Sequence, residues 1–166
     1  MVKKIISGIL NTFFISICIV ALVFGVCFCM GIHPYIVQSG SMEPEIYTGS
    51  LVFVDTKYDY ESLEIGNVIA FEPAKGTLVT HRIIDIENGL IETKGDNNDV
   101  SDGFSTSEEN YRGLTKFAIP KIGYFFAWIQ TKRGIILSVT IGIALLILDF
   151  AVSSNNKDEE KKTEHS

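Results

Sequence analysis

A serine hydroxyl is a poor nucleophile until a base takes its proton and fixed donors hold the oxyanion that its attack creates. Ser41 lies in Ser39-Gly40-Ser41-Met42-Glu43-Pro44, directly after a long apolar run and before the first strand-like segment. The histidines of the chain are His33, His81 and His165. His33 sits at the end of the apolar run and His165 in a charged tail, so His81 is the histidine inside the strand-rich region. Asp96 and Asp102 follow it. With Ser41 as nucleophile, His81 as general base and a carboxylate fixing the imidazole tautomer, the chemistry would be acyl transfer. Each residue also has a plainer use: Ser41 as a linker serine, His81 as a surface histidine of a hairpin, and Asp96 as a turn former in Asp96-Asn97-Asn98.

The elements that must position these residues read as β. Leu51–Asp55, Asn67–Phe71 and Leu78–Glu87 are rich in β-branched and aromatic residues and are bounded by turn residues. In the last of these, Arg82, Ile84 and Ile86 alternate with His81, Ile83, Asp85 and Glu87. Asn88-Gly89 follows, a strong hairpin signal because both central residues of a type I′ turn need positive φ. Leu90–Gly95 is the return strand. A two-residue turn pairs Glu87 with Leu90, and counting back sets His81 opposite Asp96, on the same face; a bulge at Gly95 would break that register. A polar loop spans residues 96–110, and Tyr111–Pro120 and Ile122–Phe126 read as closing strands.

On either side lie apolar runs. Residues 5–32 hold no charged residue over 28 positions, more than the roughly 20 that a spanning helix needs. The run also exceeds the apolar core of a secretory signal and shows no Ala-x-Ala, so an uncleaved anchor is expected. A second run, 134–153, is broken only by Asp149. The expected organisation is therefore an N-terminus at 1–4, a transmembrane helix at 5–32, a small antiparallel β catalytic domain at 33–133, a transmembrane helix at 134–153 and a charged tail at 154–166, expected to be disordered. Lys3 and Lys4 favour a cytoplasmic N-terminus, which makes the β domain extracytoplasmic and returns the tail to the cytoplasm.

Composition narrows the partners. The β region carries 15 Asp and Glu against 9 Lys and Arg, which opposes nucleic-acid binding, since phosphate contacts need a basic footprint. Cys18, Cys27 and Cys29 all lie in the first apolar run, leaving the β region without a disulfide framework. They read as small apolar residues facing lipid, and neither a metal nor a cofactor is expected.

Three stretches taken together carry a resemblance: Ser39-Gly40-Ser41-Met42-Glu43-Pro44, then Thr80-His81-Arg82-Ile83, then Lys94-Gly95-Asp96-Asn97-Asn98 with Asp102 beyond. In order and spacing they resemble the boxes of type I signal peptidases across about residues 35–120. Where the common bacterial Ser-Lys enzymes have lysine, this chain has His81. That is similar to the Ser-His branch of the endoplasmic reticulum and archaea and to its SipW-like members in Gram-positive bacteria. The short length and second apolar run are also similar to the SipW-like members. The resemblance implies Ser41 as nucleophile, His81 as general base and Asp102 as the aspartate completing the triad, with Asp96 in support. It implies that the Ser39 hydroxyl and the Ser41 backbone N–H hold the oxyanion. Gly66-Asn67 departs from the family's usual Gly-Asp at a position that reads as structural.

The implied activity is a membrane-bound serine endopeptidase of the plasma membrane that removes signal peptides from secreted precursors, with small residues at the first and third positions before the cut. The substrate would lie extended beside Tyr35–Ser41 and Leu78–His81, with Ile36, Leu78 and Ile83 lining shallow pockets. The short separation of Ser41 from Ile32 also favours a site at a bilayer surface. A different class of function is a non-catalytic, membrane-tethered β module that binds an extracellular partner. Such a module has no need of a matched serine, histidine and aspartate.

Overall fold

The computed structural model describes the backbone of residues 2–164 and the side chains of residue 5 and residues 7–151; His165 lies outside the described residues. In chain order the elements are α1 (Val2–Met30), β1 (Ile32–Ile36), β2 (Leu51–Asp55), a short 3-10 turn (Tyr60–Ser62), β3 (Val68–Ala74), β4 (Thr77–Glu87), β5 (Leu90–Lys94), β6 (Ser105–Thr106), β7 (Tyr111–Ile119), α2 (Ile122–Gln130) and α3 (Lys132–Glu164). The chain divides into a β unit, residues 27–128, and a unit formed by residues 1–26 and 129–166. The fold is mainly β, an antiparallel sheet domain flanked in sequence by two apolar helices.

The strands form one seven-stranded sheet in the order β1-β2-β7-β3-β4-β5-β6, and every neighbouring pair is antiparallel. Side chains of successive strand residues point to opposite faces, and this sheet buries apolar residues on both. Val52, Val54 and Ala70 pack with Met42 and Ile46, while Ile69, Phe71, Ile83 and Ile91 pack with Leu63. Apart from Ala70, burying each of these side chains contributes about 1.5–3 kcal/mol. The two clusters thus hold β3 and β4 in place, and with them His81.

The hairpin turn is the expected one: Asn88 and Gly89 both have positive φ, 51° and 76°. The expected register holds for Glu87↔Leu90, Ile86↔Ile91 and Asp85↔Glu92. It then shifts between Ile83 and Asp85, so that Ile83 pairs with Thr93 and Arg82 with Lys94. Counting from the turn set His81 opposite Asp96; the shift removes that pairing. The irregularity sits at Ile84, inside the strand, where the apolar alternation gives no sign of it.

Three other expectations are corrected. Ile122–Phe126 is helical, being the first part of α2. Its residues are apolar almost without interruption, and a short apolar run has no period that separates strand from helix. Lys121, in the left-handed region at φ 65°, ends β7 just before it. Next, α3 starts at Lys132 and continues to Glu164, so the charged tail carries helical backbone where disorder was expected. Glu and Lys are good helix formers, and there is no glycine or proline from 152 to 164 to stop a helix already nucleated. Lastly, α1 ends at Met30 and Ile32 opens β1. His33 is therefore a strand residue, its ring centroid 4.6 Å from that of Phe28.

Two helical stretches, Ser7–Met30 and Lys132–Ala151, are long and apolar enough to cross a membrane. The last turn of α1 is tied to the turn after β2. The Lys57 ammonium donates to the Cys29 carbonyl at 3.0 Å, and Thr56 donates to the Gly31 carbonyl through its hydroxyl and its backbone N–H, both at 2.9 Å. Carbonyls at a helix end lack partners within the helix, and these bonds supply them.

Candidate active site

Ser41 sits in a turn whose shape is set by its neighbours. Met42, 2 % exposed, anchors the turn in the core. The Ile46 N–H donates to the Met42 carbonyl at 2.8 Å, and the Glu43 N–H to the Gly40 carbonyl at 3.1 Å. The Glu43 carboxylate accepts from the Thr48 backbone N–H and hydroxyl, closing the loop that leads into β2. From the other side, the Asn97 N–H donates to the Ser41 carbonyl at 2.8 Å. Gly95 makes that approach possible. A Cβ built there would stand 2.6 Å from the Ser41 carbonyl oxygen and 2.7 Å from the Asn98 side chain.

His81 comes from β4. It pairs in register with Ile69, shares a face with Ile83, and is buried. Its Nε2 lies 2.9 Å from the Ser41 Oγ and its Nδ1 lies 2.7 Å from the Asp102 Oδ2. An ionised carboxylate only accepts hydrogen bonds. With Asp102 ionised, Nδ1 carries the proton and Nε2 is left to accept from the Ser41 hydroxyl. This directional arrangement is the one in which an imidazole can take a proton from a serine. The side chains of His81 and Asp102 are each 9 % exposed, so little water competes for these bonds.

Asp102 stands in the loop between β5 and β6, and Thr93 of β5 holds it. The Asp102 N–H donates to the Thr93 carbonyl at 3.0 Å, and the Thr93 hydroxyl donates to Asp102 Oδ2 at 2.5 Å. Sequence reasoning treated Thr93 only as a strand residue. The available signal was the alternation that places it on the same inward face as Ile91, a polar side chain at an apolar position.

Asp96 is not the partner of His81. Its two carboxylate oxygens accept from Arg82 Nε at 2.8 Å and Nη2 at 2.7 Å, while Arg82 Nη1 donates to the Gly66 carbonyl at 2.9 Å. The hydrogen-bonded Asp96 carboxylate holds the Arg82 guanidinium more firmly protonated than usual, against the opposing effect of burial. The Ser39 Oγ lies 3.3 Å from the Ser41 Oγ, and both stand on one exposed turn.

The three apolar residues expected to line pockets divide. Leu78 is exposed and Ile36 half-buried, so both present apolar surface. Ile83 is 1 % exposed within the core; it shares the inward face of His81 and is a packing residue, not a groove wall. No group of three or more His, Cys, Asp or Glu among the described residues is placed to hold a metal ion.

The family model described as signal peptidase, peptidase S26, matches residues 9–116, more than half of the chain. The chain is 47 % identical over 89 residues to signal peptidase I W of Bacillus subtilis (strain 168), covering 51 % of this chain and 47 % of that protein. It thus spans about half the length of this relative. It is 29 % identical over 128 residues to the signal peptidase complex catalytic subunit SEC11 of Zygosaccharomyces rouxii, covering 68 % of this chain and 75 % of that one. It is 32 % identical over 103 residues to the corresponding subunit of Eremothecium gossypii, covering 54 % and 60 %. The matched span runs from the first apolar helix through Ser41, His81 and Asp102, and the chain belongs to the signal peptidase family, peptidase S26.

Proposed function

We propose that this protein is a membrane-bound serine endopeptidase that cleaves signal peptides from precursor proteins, using Ser41 as nucleophile, His81 as general base and Asp102 as the carboxylate that orients His81. The observation that carries the reading is the relay Ser41 Oγ–His81 Nε2–His81 Nδ1–Asp102 Oδ2, with 2.9 and 2.7 Å hydrogen bonds, in a chain of the signal peptidase family.

The Ser41 oxygen attacks the scissile carbonyl as its proton passes to His81 Nε2. The imidazolium formed is stabilised by Asp102 and returns the proton to the leaving amine. Water, deprotonated by the same nitrogen, then releases the acyl group from Ser41. The Ser41 backbone N–H and the Ser39 hydroxyl are the donors assigned to the oxyanion. Asp96 acts in support: its bond to Arg82, the neighbour of His81, braces the loop that carries Asp102.

The substrate adds as an extended strand. Two backbone edges support this. β1 stands at the end of the sheet, and the β4 pairing with β5 begins only at Arg82, leaving Thr77–His81 without β5 on that side. Ile36 and Leu78 offer apolar surface beside these edges, suited to an extended segment whose alternate side chains enter pockets. The proposed substrate has small residues at the first and third positions before the cut. The two apolar helices cross the plasma membrane, with the N-terminus and tail cytoplasmic and the β domain, residues 33–133, extracytoplasmic.

The test is a precursor-processing assay on the full chain in membranes. Wild-type protein is expected to release the mature product and Ser41→Ala to leave the precursor intact while remaining in the membrane fraction. Undiminished processing by Ser41→Ala would overturn the reading. The alternative of a non-catalytic tethered module has no observation in its favour.

A further inference from the structure

We propose that Thr93 is a positioning residue for the relay: its hydroxyl holds the Asp102 carboxylate where it fixes the tautomer of His81. This rests on the reading of Ser41, His81 and Asp102 as one relay.

Thr93 is completely buried. It lies on β5, in register with Ile83 and on the inward face with Ile91. A hydroxyl in such surroundings without a bond is costly, whereas valine fills nearly the same shape without that cost. What the hydroxyl adds is its bond to Asp102. Asp102 needs that bond because its backbone lies outside helix and strand, between β5 and β6. One contact through its N–H to the Thr93 carbonyl sets the backbone but leaves the side chain free to turn. The Thr93 hydroxyl supplies the second contact, and it does so on Oδ2, the same oxygen that accepts from His81 Nδ1. A paired strand therefore transmits its rigidity through Thr93 to a carboxylate that a loop carries. Without the hydroxyl, Asp102 can leave the imidazole. Nδ1 then loses its acceptor and the Nε2–H tautomer, which cannot take the Ser41 proton, gains population.

The experiment uses the full chain in detergent micelles with nitrogen-15 histidine, the His81 signals being assigned by their loss in His81→Gln. Tautomer populations are read from the ring nitrogen shifts at a pH where ordinary imidazole is neutral, alongside kcat and KM for precursor cleavage. In the wild type, His81 is expected as Nδ1–H. In Thr93→Val the Nε2–H form should appear, and kcat should fall about 10- to 100-fold with KM changed by about twofold or less. Thr93→Ser should restore both. If Thr93→Val does not fold, Thr93→Ser against Thr93→Ala, which differ only in the hydroxyl, gives the same comparison. An unchanged tautomer with unchanged kcat, or with only a lower melting temperature, would overturn the inference, because it would leave Thr93 a purely structural residue. A wild type that shows no Nδ1–H form and no processing would instead overturn the relay itself. Thr93 is then at fault only where the wild type passes both measurements.

Discussion

His81 and Arg82 are consecutive in one strand, and each binds an aspartate from the chain that follows β5. His81 faces inward and meets Asp102, both side chains 9 % exposed; Arg82 faces the other way and meets Asp96, with side chains 33 % and 20 % exposed. Alternation along a strand is enough to send the two residues to different environments. The difference in environment then divides the labour. In the proposed relay the buried pair controls where one proton sits. The outer pair is a bidentate clamp, strong in geometry but solvated and screened. It ties β4 to the turn that carries Asn97 and, through the Asn97 N–H, to Ser41.

The largest effects should fall on the inner pair. Asp102→Asn leaves the shape intact but offers His81 an amide in place of a carboxylate, and precursor processing is expected to fall by about 10⁴-fold, with a larger loss still in Ser41→Ala. A mild loss in Asp102→Asn, or an equal loss in Asp96→Asn, would erase the distinction between the pairs. The next effect belongs to the same inward face. Ile83→Ala should destabilise the domain by about 2–5 kcal/mol, read as a lower denaturation midpoint. Leu78→Ala, on exposed surface, should leave stability nearly unchanged and alter KM for precursor.

Asp96→Asn should cost about 1 kcal/mol of stability, at the upper end for an exposed pair, and leave processing within about tenfold of wild type. A double-mutant cycle with Arg82→Gln, at low and high salt, sharpens this. The coupling should shrink with salt, whereas the loss in Asp102→Asn should not.

The smallest effect tests the same inward and outward contrast in β7. There Tyr111 is half-buried, while its neighbour Arg112 faces out and binds Glu72 through Nε at 3.0 Å and Nη2 at 2.7 Å. The Gly76 backbone N–H, and after it Arg112, hold the Glu72 carboxyl below its usual range. A lowered folded-state pKa means a contribution that is present above the ordinary carboxylate range and is lost as pH falls through the folded value. Melting of Glu72→Gln should therefore differ slightly from wild type near neutrality, and the difference should vanish in acid. A difference that grows in acid would contradict the assignment.

The strands, the hairpin turn and the candidate residues were legible because each is written locally. β2 runs over Leu51–Asp55 as its residue types predict, and Asn88-Gly89 announces its own turn. Ser41, His81 and Asp102 were selected by residue type and by the resemblance of three short stretches. The partner of His81 was less legible. Counting from the turn favoured Asp96, and the shift at Ile84 moved everything beyond it by one. Ile122–Phe126 was read as a strand because an apolar run without period does not declare its conformation. Thr93 passed unnoticed because its importance lies in what it touches 9 residues later.

By itself, the sequence determined that two apolar helices flank an antiparallel β domain, and that a serine, a histidine and two aspartates are available within it. These follow from local composition, alternation and turn chemistry, which act over a few residues. Only the tertiary structure decided which aspartate serves His81, that Ile83 is core and not groove, and that Thr93 reaches the carboxylate. Such choices depend on a one-residue irregularity in strand pairing and on the path of a loop. Both are settled by packing between segments distant in the chain, where local patterns have no reach.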